Sequence, residues 1–168
     1  RSRGLGDVYK RQVGDQYYAM VSPVMIDAKN PLYSVNGVFN AIFIHGNVLG
    51  DAMFYGSGAG KLPTASAVVA DVVDCAKNKG RNIMMSWSEE KLDLLQIDDV
   101  KSRFFVRVSG HAAERQSEIE ELFGKVEIVA VPSLSEEFAF ITGEITEQEY
   151  REKAEKLDGI QSRIRARI

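Results

Sequence analysis

The stretch that begins at Arg103 changes its hydrophobic period again and again, and the order of those changes leaves few folds open. "RFFVRV" has the β-branched and aromatic content of a strand. Residues 113 to 123 carry helical spacing, and "KVEIVAV" and "EFAFITG" return to strand character. Thr146 followed by Glu149 predicts a capping box, and Tyr150, Ala154 and Leu157 then fall on one helical stripe. The last segment alternates, with Ile160, Ile164 and Ile168 expected on one face and Arg163, Arg165 and Arg167 on the other. The arginine face reads as a solvated or subunit-facing surface.

Strand, helix, strand, strand, helix, strand is the ferredoxin-like plan, and a unit built on it has its own core. The fold class read from the whole chain is therefore α/β (α+β). Upstream, "YYAMVSPVMI" (17 to 26) predicts a strand that Pro23 makes an edge or a bulged one. "VFNAIFI" (38 to 44) predicts a buried strand, and "VLGDAMFY" (48 to 55) its hairpin partner through His45, Gly46 and Asn47. This first unit lacks a full sheet and is too small to stand alone. "WSEEKLDLLQIDDV", acidic and mixed in pattern, reads as part of a connector spanning 81 to 101.

Between the hairpin and the next helix lies "MFYGSGAGKLPTASAVVADVVD" (53 to 74). Gly56, Gly58 and Gly60 suit a tight swing from strand to helix, because glycine permits positive φ. They also suit backbone amides meeting an anion at a helix N-terminus. Spacing alone favours the turn. Pro63 fits the first helical turn, and Thr64 or Ser66 is expected to cap it. Val68, Val69, Val72, Val73 and Ala76 form one apolar face, with Asp71 and Asp74 off it and Lys77, Lys79 and Gly80 at the C-terminal end. Asn36 and Asn40 are expected to bond backbone near the hairpin rather than a ligand.

Composition narrows the function classes. The chain has 168 residues, is 45% hydrophobic and 27% charged, and carries a net charge of -3. That balance gives no bulk attraction to nucleic acid or anionic membranes, and no apolar run approaches a membrane span. RNA binding on a ferredoxin-like sheet also fails, since the strands lack the aromatic RNP pattern despite Phe105. One cysteine, Cys75, rules out an internal disulfide and suits a reducing compartment, and it is expected to be a packed, inert thiol. Two histidines, His45 and His111, build no zinc site and are read as structural. "RSRGLGDVYKRQ" has neither Met nor an apolar core. It reads as a cloning or adapter scar, so residues 1 to 12 are expected to lie outside the fold.

"VNGVFNAIFIHG", "MFYGSGAG" and "PTASAVVADVVD", in this order, closely resemble the C-terminal part of bacterial homoserine dehydrogenases over residues 17 to 80. The βαββαβ unit looks like the ACT domain that many of these enzymes carry. The resemblance implies a division into 1–12 scar, 13–80 catalytic-domain segment, 81–101 linker and 102–168 ACT-like domain. It implies an oxidoreductase that interconverts aspartate 4-semialdehyde and homoserine with NADP or NAD, toward threonine and methionine. It also implies a cytoplasmic homo-oligomer without nucleic-acid or membrane partners. Gly60 matches the family's cofactor position, flanked by Gly58 and Ala59. The family's dinucleotide fingerprint and acid–base lysine have no counterpart here, and Lys61 is not that lysine. No catalytic residue and no metal ligand is therefore assigned, and this chain by itself is expected to be inactive. The ACT-like stretch "VSGHAAERQSEI" lacks the Pro-Gly turn of effector-binding members. The alternative reading is an ACT-type regulatory or subunit-association module without catalysis of its own.

Overall fold

A computed structural model describes residues 7–13, 16–81 and 86–168. The strands and helices run β1 (Asp7–Val13), β2 (Gln16–Ser22), β3 (Val24–Ile26), β4 (Phe39–Gly46), β5 (Gly50–Ser57), α1 (Lys61–Lys77) and β6 (Lys101–Ser109). They continue with α2 (Ala112–Phe123), β7 (Glu127–Val129), β8 (Glu137–Ile141), β9 (Ile145–Thr146), α3 (Glu147–Ala154) and β10 (Ile160–Arg167). Two compact units result. One joins residues 1–26 to 91–168, and the other holds residues 27–90.

The discontinuous unit contains a mixed sheet in the order β3-β10-β6-β8-β7, with β9 pairing the start of β6. From β6 onward the order is the expected βαββαβ, apart from the added two-residue β9, with antiparallel pairing from β10 to β7. Period-2 alternation explains its one-sided core. Phe104, Val106 and Val108 of β6 are fully buried, as is Phe140 of β8. The helices answer at their own period: α2 buries Ile119 and Phe123, α3 buries Tyr150, and Leu157 follows it into the core. Ring centroids of Phe104 and Tyr150 are 4.5 Å apart, and those of Phe123 and Phe140 are 5.2 Å apart. Tilted aromatic pairs at such spacing stabilise beyond the area they bury. The capping box forms as expected. Glu149 N donates to Thr146 Oγ1 at 3.1 Å, and Thr146 N donates to Glu149 Oε2 at 2.7 Å.

The arginine alternation of β10 resolves differently from its sequence pattern. Arg163 stands opposite Val106 and Arg165 opposite Phe104, so both lie on the helix-covered face. Opposed residues of an antiparallel pair share a face. The cause is Glu147, buried at the start of α3 and ion-paired to both arginines. Arg163 also lies over the Tyr150 ring, 4.8 Å from its centroid. An irregularity between Ile160 and Ser162 breaks the register, and Ile160 packs against the core instead of joining Ile164 on the opposite face.

Three expected boundaries also move. Residues 17 to 26 belong with this unit, not with the hairpin. Val24–Ile26 add a parallel edge strand to Arg165–Arg167, and Tyr17 pairs with the segment at Asp93 and Leu95 through bonds of 3.0 and 2.9 Å. Pro23 falls between β2 and β3, where no ladder bond is needed. Residues 7–13, expected outside the fold, form β1 antiparallel to β2. The supposed connector is structured near its end: Val100 is buried, and Asp98 pairs with Arg151 at 2.6 Å. Residues 82–85 of that connector lie outside the described residues.

The other unit holds the β4–β5 hairpin and α1. Its ladder runs from Phe39 opposite Ser57 to Gly46 opposite Gly50. The strand expected to be buried is exposed: Ile42 is 65% and Phe54 65% accessible. Helix α1 buries no residue, and its expected core face of Val68, Val69, Val72 and Val73 is open. A two-stranded ribbon and one helix supply no second layer for these faces. No helix of the described residues is long and apolar enough to cross a membrane.

Candidate cofactor-contact segment

Strand β5 ends at Ser57, and three residues later α1 begins, so Gly58, Ala59 and Gly60 make the whole connection. Only Gly60 has the positive φ that the turn reading requires, at 117° with ψ of 160°. A side chain is strained there, which explains glycine at 60. At Gly58 the neighbour is a side chain: a carbon placed there would sit 2.5 Å from Asn40 Nδ2, so the carboxamide would have to turn aside. Around Gly56 there is open space, and neither explanation applies to it.

The helix that follows is left uncapped by side chains, and its first turn holds no acid. Thr64 and Ser66, the expected caps, lie inside the helix instead, and Thr64 N donates to Gly60 O at 3.2 Å. A helix start without a carboxylate or hydroxyl cap keeps its amides and its positive dipole end available to an anion. Lys61, first in the helix, adds a positive charge nearby. Such a start can receive an anion such as a phosphate, with Gly58, Ala59 and Gly60 as the part that lets its backbone come close. No general acid–base pair accompanies them in this segment.

The remaining candidates separate from this place. Asn36 Nδ2 donates to Tyr33 O at 3.4 Å, as expected, whereas the Asn40 carboxamide has no hydrogen-bond partner among the described residues. His45 Nδ1 meets Asp51 Oδ1 across the hairpin at 2.5 Å, a surface pair. Cys75 is exposed, not packed, because the face it adjoins is uncovered. His111 precedes α2 without capping it through its side chain.

The turn after β6 carries Gly110 at φ 101°. Beside it is a cavity of about 250 Å³ lined by Gly110, His111, Ala112, Val131, Pro132 and Phe138, among others. Arg115 reaches back across the same turn. Its Nη1 donates to Ser109 O and its Nη2 to Asp158 O, each at 3.0 Å. Sequence reading missed this arginine. One charged residue in the first turns of a charged helix carries no signal of which way it points.

A family model described as "Homoserine dehydrogenase" matches residues 3–73, a span that contains the hairpin, the glycines and most of α1. This segment is similar to homoserine dehydrogenases. A homoserine dehydrogenase of Lactococcus lactis is 40% identical over 100 residues, covering 58% of this chain and 23% of the relative. One of Corynebacterium glutamicum is 54% identical over 61 residues, covering 36% and 14%. The chain thus spans less than a quarter of the length of these relatives. A solved homoserine dehydrogenase of Thiobacillus denitrificans shares the fold at TM-score 0.72 and 24% identity, over 94% of this chain and 41% of that one. One from S. aureus matches at TM-score 0.68 and 25% identity, over 95% and 40%. Both likenesses run through the βαββαβ part as well as the family-model span, so the two units recur together within homoserine dehydrogenases.

Proposed function

We propose that this chain is the part of a homoserine dehydrogenase that presents Gly58, Ala59 and Gly60 to the cofactor. The whole enzyme would interconvert homoserine and aspartate 4-semialdehyde with NADP or NAD. The carrying observation is the glycine connection at the uncapped start of α1, inside the span that matches the family. When bound, the cofactor supplies or accepts the hydride. This chain's own contribution is to hold it by backbone amides and to admit it without a side chain in the way. The acid–base residue and the dinucleotide fingerprint belong to other segments of such an enzyme, so these 168 residues alone should lack activity.

The βαββαβ part is proposed as an ACT-like domain that serves subunit association more than effector binding. Arg115 occupies the turn where an effector's charged groups would meet amides, and Glu114 adds a negative charge to the first turn of α2. A homo-oligomer in the cytoplasm, with no nucleic-acid or membrane partner, completes this reading.

The test places this segment in a full-length homoserine dehydrogenase and changes Gly60→Val. Cofactor KM is expected to rise while homoserine KM holds and the far-UV CD spectrum is kept. Unchanged kinetics in a folded variant would reduce the glycines to turn residues.

A further inference from the structure

Of the glycines before α1, Gly58 is the one whose missing side chain is filled by another residue. Its φ lies outside the region reserved for glycine, so backbone strain does not explain it. The space where its side chain would stand holds the Asn40 carboxamide, with Nδ2 at 2.5 Å, Cγ at 3.3 Å and Cβ at 3.4 Å. Asn40 sits in β4 directly opposite Gly56, so its side chain leans two residues along β5, past the end of the ladder. That diagonal is within reach on one face of a strand pair. Asn40 is exposed, and its carboxamide has no hydrogen-bond partner among the described residues.

We infer that Asn40 is a positioning residue for the cofactor, acting through Gly58. This rests on the reading of Gly58, Ala59 and Gly60 as the cofactor-contact segment. The connection has no side-chain cap at α1 and is only three residues long. Its path is set by Gly60's conformation at one end and by the Asn40–Gly58 fit at the other. Strand β4 thereby fixes how far the amides of residues 58 to 60 project, and small errors in such placement are costly when a ligand must be held for reaction.

The experiment uses a full-length homoserine dehydrogenase carrying this segment, with Asn40→Ala, Gly58→Ala, the double variant and Gly60→Val measured side by side. Asn40→Ala and Gly58→Ala should each raise cofactor KM roughly five-fold, with homoserine KM within about two-fold. The double variant should be no worse than either single variant, because removing the carboxamide makes room for the added methyl group. A purely structural role would lower thermal stability without this split between the two KM values. If Asn40→Ala leaves cofactor KM unchanged while Gly60→Val raises it, the inference about Asn40 fails and the glycine reading stands. If neither changes cofactor KM, both fail. Additive losses in the double variant would also overturn the steric link.

Discussion

Arg163 Nη1 lies 2.8 Å from Glu147 Oε2, and the carboxylate is only 6% accessible. Arg165 pairs with the other oxygen of the same group. A buried carboxylate between two arginines is tolerable only while both remain, since desolvation is offset by pairing. Glu147→Ala should therefore destabilise the discontinuous unit by about 3 kcal/mol, and Glu147→Gln by less. Urea unfolding followed by CD reads this directly. A loss typical of a surface pair would show that the arginines carry little of the charge burden.

A second expectation concerns acid. The Thr146 backbone amide, bonded to the Glu149 carboxylate, holds that group's pKa below its ordinary 4.5. A depressed carboxylate stabilises the fold above the unfolded value, and the gain is lost as pH falls through the folded value. Glu149→Gln should remove this pH-dependent gain and lower the melting midpoint at neutral pH. The difference from the parent should narrow below pH 4.5, on the acid side only. NMR titration of Glu149 in the parent and melts across that range check both parts.

At alkaline pH a different residue responds. Burial pushes the Tyr150 phenol above its ordinary value of 10.0, against the pull of Arg163. A raised folded pKa gives stability that is present below the unfolded value and is lost as pH rises through the folded one. Tyr150→Phe should then flatten the decline in stability above pH 10. Tyrosinate absorbance and melting midpoints measured together would show it. An unchanged alkaline limb in the variant would remove Tyr150 from the account.

Core and open face should answer truncation in opposite ways. Phe140 is fully buried, and Phe140→Ala should cost about 3 to 5 kcal/mol. Val72 is 62% accessible on α1, and Val72→Ala should change the stability of this chain by less than about 0.5 kcal/mol. Thermal melts of the two variants make the comparison. Equal losses would mean that α1 finds cover that its exposure does not show.

Much of the βαββαβ part was legible because local signals agreed with one another. The periods at 103–108, 113–123 and 137–141, and the Thr146–Glu149 pair, all demand the elements that form. The arginine face of β10 was misread because alternation fixes which residues share a side, not which side is covered. That choice belongs to Glu147, whose role appears only once α3 crosses the sheet. At the candidate site, Gly60 followed from glycine chemistry and from family likeness. The fit of Asn40 against Gly58 did not, because it depends on a diagonal contact past the end of a ladder. The unit boundary at residue 26 was equally invisible: Val24, Met25 and Ile26 read as a strand, but nothing local names a partner so distant as Arg165.

That distant pairing sets an order on synthesis. When β3 leaves the ribosome, β10, its neighbour in the sheet, has yet to be made, and the hairpin and α1 must emerge first. Local pieces such as β1–β2 and β4–β5 can close at once, but the sheet edge must wait for a long loop to be closed. Throughout that interval, as in the finished chain, the apolar faces of α1 and β4 stay open to any neighbouring nascent chain. Yield of folded protein should consequently depend on temperature and expression rate more than on the stability the finished molecule attains.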